Sequence, residues 1–174
     1  MSQLIITSYW IARERLGELR PRFVLSLMDP TSKFSLPLVD TVKAHETIWV
    51  HDITSDDIEF DRPYVTPSLE HVHAIVDLAN RWRSSGPVLT HCMAGVSRSA
   101  AAALIYLATL NPSKIDQAAS WLRSAGPWLN PNPLMIGWAD KVLGLEGRLV
   151  SAHQGMGDTR MRGVMEPVVM PLRM

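Results

Sequence analysis

A single cysteine in 174 residues excludes an internal disulfide. Charge of one sign is missing too: 17 Lys and Arg balance 17 Asp and Glu, which removes the positive field that non-specific binding to nucleic acid or an anionic membrane relies on. Apolar runs fall well short of the roughly 18 consecutive residues a bilayer span needs, and the opening residues lack the basic start, apolar run and small-residue cleavage site of an export signal. These absences predict a soluble, cytoplasmic chain with a reduced thiol that engages neither nucleic acid nor membrane. No Gly-x4-Gly-Lys-Ser/Thr loop is present, and "GMGD" near the C-terminus lacks the strand, helix and third glycine of a dinucleotide-binding turn. His71 and His73 stand two apart on an expected helix, hence on different faces, so no zinc site is predicted. The six tryptophans are not interleaved with basic residues and read as core or groove.

What is present is an alternation of short apolar runs and helical patterns. "LIITSYW" (Leu4 to Trp10), "FVLSLMD" (Phe23 to Asp29) and "ETIWVHDI" (Glu46 to Ile53) read as strands, the first two separated by the polar helical stretch "ARERLGELR". An acidic turn with Asp56, Asp57 and Asp61 follows. Next comes a helix with Ser68 as N-cap, an apolar stripe of Leu69, Val72, Val76 and Ala79, and Gly86 beyond its end. "PVLT" is a short buried strand, and "SAAAALIYLATL" from Ser99 is a helix apolar on nearly every face. The remainder is helical in pattern, with the loop "PWLNPNP" between two segments. The expected fold is α/β: a central, mainly parallel β-sheet of four to five strands flanked by helices, with a helical C-terminal part. Residues 1–153 read as one catalytic domain, and 154–174, rich in methionine and glycine, as a loose C-terminal tail.

The lone cysteine sits in "LTHCMAGVSRSA", between the buried strand and the apolar helix. A lone thiol is ordinarily a small core residue; its neighbours argue otherwise. Met93, Ala94, Gly95, Val96 and Ser97 form a loop of mostly small residues leading into a helix, where backbone N–H groups and the positive helix end gather an anion. Arg98 offers a planar fork to two phosphate oxygens. The same positive environment favours a thiolate at Cys92 over a thiol, which makes it a nucleophile.

"HCMAGVSRS" resembles the signature loop of the cysteine-based protein tyrosine phosphatases, His-Cys-x5-Arg followed by Ser or Thr, with every signature position matched. The chain's length and helical C-terminal part are similar to the compact dual-specificity-like branch, over roughly Phe23 to Leu145. The resemblance implies a protein-tyrosine-phosphatase-like fold and a cysteine phosphatase acting on phosphate monoesters through a phosphocysteine. Protein phosphotyrosine is the expected substrate, with dual specificity or a small phosphate ester open, and neither metal nor cofactor is implied. It implies Cys92 as nucleophile and Met93 to Arg98 as phosphate-binding loop. Ser99 would donate to the departing sulfur, with helix capping as its plain alternative, and His91 would orient the loop from behind. The acid that protonates the leaving group is expected just past the strand preceding the long helix; Asp52 is favoured, with Asp56 and Asp57 as rivals and Asp61 behind them. Asn132 in "NPNP" partly matches an asparagine that braces the loop, but a helix cap explains it equally well. The rival functions are a catalytically silent phosphate-recognition module and a thiol-dependent sulfurtransferase or arsenate reductase.

Overall fold

The structure, a computed structural model, describes residues 2–55, 64–83, 86–160 and 166–172. Five strands form one sheet in the order β3-β2-β4-β1-β5. They are β1 (Gln3–Ser8), β2 (Phe23–Met28), β3 (Ala44–Trp49), β4 (Val88–Cys92) and β5 (Val168–Pro171). The first four run parallel and β5 joins the β1 edge antiparallel. β2 and β4 are buried at every residue, as strands covered on both faces must be.

The helices α1 (Tyr9–Leu19) and α2 (Leu69–Trp82) carry the crossovers from β1 to β2 and from β3 to β4. These crossovers travel in opposite directions along the sheet, so right-handed connections put their helices on opposite faces. The faces have separate cores. Tyr9, Ala12 and Leu16 of α1 pack on Ile5, Val24, Met28 and Leu89. The larger core joins the other face to α2, α3 (Arg98–Leu110), α4 (Ile115–Ala125), α5 (Pro133–Val142) and α6 (Arg148–Gln154). Every residue of α3 from Arg98 to Ala108 is buried, and the run Ala100 to Ala103 lets its backbone lie close to the strands. Replacing its Leu104 by Ala would cost about 2–5 kcal/mol of stability.

Two expectations shift in detail. The buried stripe of α2 is Val72, Ile75, Leu78, Ala79 and Trp82; Leu69 is exposed and Val76 half-buried, because the helix rests on α3 and α5 through the stripe one step round. Within the stretch expected to be a loose tail, β5 pairs with Gln3 to Ile6, and Val168, Met170 and Leu172 are buried. The alternation of Val168 and Met170 inward with Val169 outward is the strand signal in this stretch, and it spans too few residues to stand out beside glycines and prolines. No helix among the described residues is long and apolar enough to cross a membrane.

Candidate active site

All four parallel strands end at the same edge of the sheet, and the sequence-predicted residues meet there. The crossovers change direction within this sheet, and at such a switch the carboxyl edge is where α/β sheets hold ligands. Cys92 is the last residue of β4, and α3 starts at Arg98. The intervening loop is shaped by its carbonyls, which turn outward to fixed partners. Tyr9 N–H donates to Met93 O, Asn130 N–H to Val96 O, and Asn132 N–H and Ala101 N–H to Ser97 O. Outward carbonyls leave amide N–H groups for the concave side, and Gly95 N–H donates to Cys92 Sγ at 3.3 Å. Gly95 has a φ of +75°, and a Cβ there would lie 2.5 Å from Ser8 N and 2.6 Å from Thr7 C. Glycine is required both for that conformation and for the approach of β1.

Cys92 is 1 % exposed at the base of the loop, with Ser99 Oγ 3.3 Å from its sulfur. Ser99 is the second residue of α3. Ser97 is the N-cap but makes no capping bond, sending its hydroxyl elsewhere, so the end of the helix that faces the loop stays open. Thr90 Oγ1 donates to Ser99 O from the middle of β4, tying the helix start to the strand.

Arg98 is 4 % exposed, deeper than an arginine usually lies without a bound charge. Its Nη1 donates to Asp29 Oδ1 and to Val50 O, both at 2.7 Å. Its Nε is buried without a hydrogen-bond partner among the described residues and lies 3.9 Å from Asp52 Oδ2. The guanidinium is thus gripped by one nitrogen, which leaves its Nε edge for an incoming anion.

Asp52 lies three residues past the end of β3 rather than at the strand end itself. Its Oδ1 accepts from Ser97 Oγ at 2.6 Å and from Asn132 Nδ2 at 2.9 Å; Oδ2 faces Arg98. Asn132 also donates to Ile53 O, while its Oδ1 accepts from Met135 N–H as the N-cap of α5. The two readings of this asparagine therefore hold together: one side chain caps a helix and fixes the Asp52 segment. His51 closes that segment by accepting from Val65 N–H through Nδ1 while its own N–H donates to Val65 O. Asp56, Asp57 and Asp61 lie outside the described residues.

His91, the residue before Cys92, is 1 % exposed and points to the α1 face. Burial pushes its pKa down to about 4, the Cys92 main chain offsetting part of the shift, so the ring is neutral at pH 7. His91 Nε2 lies 2.6 Å from Ser26 Oγ, whereas Nδ1 has no partner of ordinary hydrogen-bond geometry among the described residues. His71 is absorbed by α2, where its Nδ1 accepts from Ser68 N–H in a capping box.

Sequence reasoning missed Asp29 and the Val50 carbonyl. Asp29 closes "FVLSLMD" at the end of the strand beside β4, so an acid at a parallel strand's carboxyl end was the available signal. A main-chain carbonyl leaves no signal in sequence.

Residues 22–139 match the family model described as "Dual specificity phosphatase, catalytic domain". Human dual specificity protein phosphatase 18 is 35% identical over 69 residues, covering 40% of this chain and 34% of that protein. Mouse dual specificity protein phosphatase 1 is 26% identical over 119 residues, covering 68% of this chain and 26% of that one. The chain therefore spans about a third or less of the length of these relatives. The crystal structure of human DUSP28 superposes with a TM-score of 0.62 at 22% identity, over 82% of this chain and 94% of that one, which shows a shared fold.

Proposed function

The chain belongs to the dual specificity phosphatase family through its catalytic domain, and on that premise we propose that it hydrolyses phosphate monoesters, foremost protein phosphotyrosine, through a phosphocysteine at Cys92. The observation that carries the proposal is the convergence at Arg98. Its Nε, buried without a hydrogen-bond partner among the described residues, faces the Asp52 carboxylate at 3.9 Å. A buried cation with a spare donor edge, a thiol within reach of Gly95 N–H and the Ser99 hydroxyl, and a partly exposed carboxyl group are the three parts of phosphoryl transfer to sulfur.

In the first step the Cys92 thiolate attacks phosphorus. The S–P bond forms, the ester P–O bond breaks, and protonated Asp52 gives its proton to the leaving oxygen. The charge on the equatorial oxygens is met by Arg98, the loop amides from Met93 to Ser97 and the open end of α3. In the second step Asp52, now a carboxylate, takes a proton from water as that water attacks phosphorus and the S–P bond breaks. Ser99, at 3.3 Å, donates a hydrogen bond to the departing thiolate. His91 orients the loop from behind and transfers no proton, consistent with a ring held neutral by burial.

Trp10 and Phe34 are about half exposed and pack around buried Tyr9, whose N–H holds Met93 O. These two exposed aromatic faces, tied to the loop through Tyr9, support phosphotyrosine over the shorter phosphoserine and phosphothreonine. A cysteine nucleophile must stay reduced, which favours a cytoplasmic setting.

The test offers the protein an aryl phosphate in the presence of a chelator, alongside Cys92→Ser and Asp52→Asn. Wild type should turn over, Cys92→Ser should lose on the order of 10⁴-fold or more, and Asp52→Asn should lose more with a poor leaving group than with a good one. Tight phosphate binding without turnover would replace this reading by a silent recognition module, and consumption of thiosulfate by a sulfurtransferase.

A further inference from the structure

The stretch between α4 and α5 holds the loop from its outer side, and it is itself held by an arginine that the steps above do not use. Arg123 stands half-buried in the last turn of α4 and gives its guanidinium to main-chain carbonyls. Nη1 donates to Pro127 O at 2.7 Å and to Leu129 O at 2.9 Å, Nε to Met156 O at 3.0 Å and Nη2 to Gly157 O at 3.1 Å. An arginine committed in this way fastens the chain that carries those carbonyls. The 127–133 stretch has need of it, because Pro127, Pro131 and Pro133 have no N–H with which to fix their own backbone.

The consequence for the loop lies in two peptide planes. Leu129 C=O and Asn130 N–H belong to one peptide unit. No peptide bond among the described residues is cis, so the two groups point in opposite directions. With its oxygen fixed on Arg123, this unit directs its N–H at Val96 O, 2.9 Å away. Val96 C=O and Ser97 N–H form the next unit in line, and a carbonyl held outward turns the Ser97 N–H toward the concave side of the loop, at the start of α3. We propose that Arg123 is a positioning residue for anion binding: through the 129–130 and 96–97 peptide units, its guanidinium sets the aim of the Ser97 N–H. As the charged end of this chain of hydrogen bonds, it also polarises both units in the sense that strengthens the last donor.

The same guanidinium reaches past α6 to Met156 O and Gly157 O, and Arg160 N–H shares Pro127 O with it at 2.9 Å. The chain that follows α6 is thereby fastened to the support of the loop.

The inference rests on the loop binding phosphate and not on turnover, so it is read by binding. Affinity for inorganic phosphate and for tungstate is measured by calorimetry, and exchange of the Asn130 amide by NMR, in wild type, Arg123→Ala and Ile115→Ala. Ile115 is buried at the opposite end of α4, so its cavity supplies lost stability without touching the 127–132 stretch. Arg123→Ala should bind both anions about tenfold more weakly. Its Asn130 N–H should exchange about tenfold faster than the loss of global stability accounts for. Ile115→Ala should bind both anions as wild type does. Should Arg123→Ala fail to fold, Arg123→Gln, which keeps a neutral donor, is read in its place. Wild-type anion affinity in a folded Arg123 variant, or affinity lost equally in Ile115→Ala, overturns the inference. A wild type that binds neither anion overturns both this inference and the phosphatase reading. Anion binding that follows the expected pattern in a protein inert toward aryl phosphate overturns the phosphatase reading and leaves this one standing.

Discussion

The loop from Cys92 to Arg98 and the Asp52 segment meet through Ser97 and Arg98 and are built on opposite plans. The loop is main chain held by main chain: its carbonyls at Met93, Val96 and Ser97 are taken by backbone N–H groups from α1, α3 and the 130–132 stretch. Asp52 is about a third exposed and is positioned by two side chains, Ser97 and Asn132. A cradle that must aim several amides at one dianion needs backbone fixed over its whole length, whereas a proton donor needs one carboxyl group at the right place. Substitutions should therefore act very unequally on the two sides.

Gly95→Ala should be the most damaging. Its Cβ would meet the backbone of Thr7 and Ser8 in a conformation that side chains rarely adopt. Aryl phosphate turnover should fall on the order of 10³-fold, and the melt should show a loss of about 1–3 kcal/mol. An alanine variant with near wild-type turnover would mean that the loop is less fixed than its hydrogen bonds imply. Asp29→Asn comes next, because it removes the carboxylate charge on Arg98 Nη1 while Val50 O remains. A charged hydrogen bond is worth about 1.5–3 kcal/mol, so the inhibition constant for phosphate or vanadate should rise about ten- to a hundredfold, with little change in the dependence on leaving group.

The third prediction concerns the wall behind the loop. Burial holds the His91 ring at a pKa of about 4 in the folded chain, against about 6.5 for a free imidazole. The unfolded chain therefore binds the proton first as pH falls. The stability contributed is full above 6.5 and is lost on going down toward 4. Between pH 7 and 4.5 this one group accounts for about 2 kcal/mol. Denaturant melts across that range should show wild type weakening, with His91→Asn weakening less; equal slopes would remove His91 from the account. The smallest effect belongs to Asn132→Ala, which loses a helix cap and one of the two bonds to Asp52. About 1 kcal/mol of stability and about tenfold in kcat should go, with KM nearly unchanged. A rise in KM without a fall in kcat would place Asn132 with the loop instead of the acid.

The same contrast explains what could be read from sequence. The loop announces itself because its requirements fall on contiguous residues: the thiol, Gly95 for a positive φ, Arg98 and Ser99 at fixed spacing. The strand ending at Cys92 and the all-apolar α3 confirm its setting. Asp52 drew attention through its place after a strand, although the strand stops at Trp49, and its role stays a proposal. What holds it was not legible, since Asn132 is 80 positions away and its cap role alone accounts for "NPNP". Asp29 stayed hidden because its partner Arg98 is 69 positions on, and Ser26, which meets His91, because a serine in a strand looks like ordinary filler until β2 is seen beside β4. β5 was read as part of a tail because four residues carry too short a period to register.

The central claim is that phosphate passes through the Cys92 sulfur with Asp52 moving the protons. It is tested most directly by quenching the protein during turnover of an aryl phosphate and weighing the intact chain. The account predicts one phosphoryl group on Cys92, more of it in Asp52→Asn, where breakdown of the intermediate is slowed, and none in Cys92→Ser. Turnover by wild type with no phosphoryl adduct on Cys92 in either wild type or Asp52→Asn would contradict it.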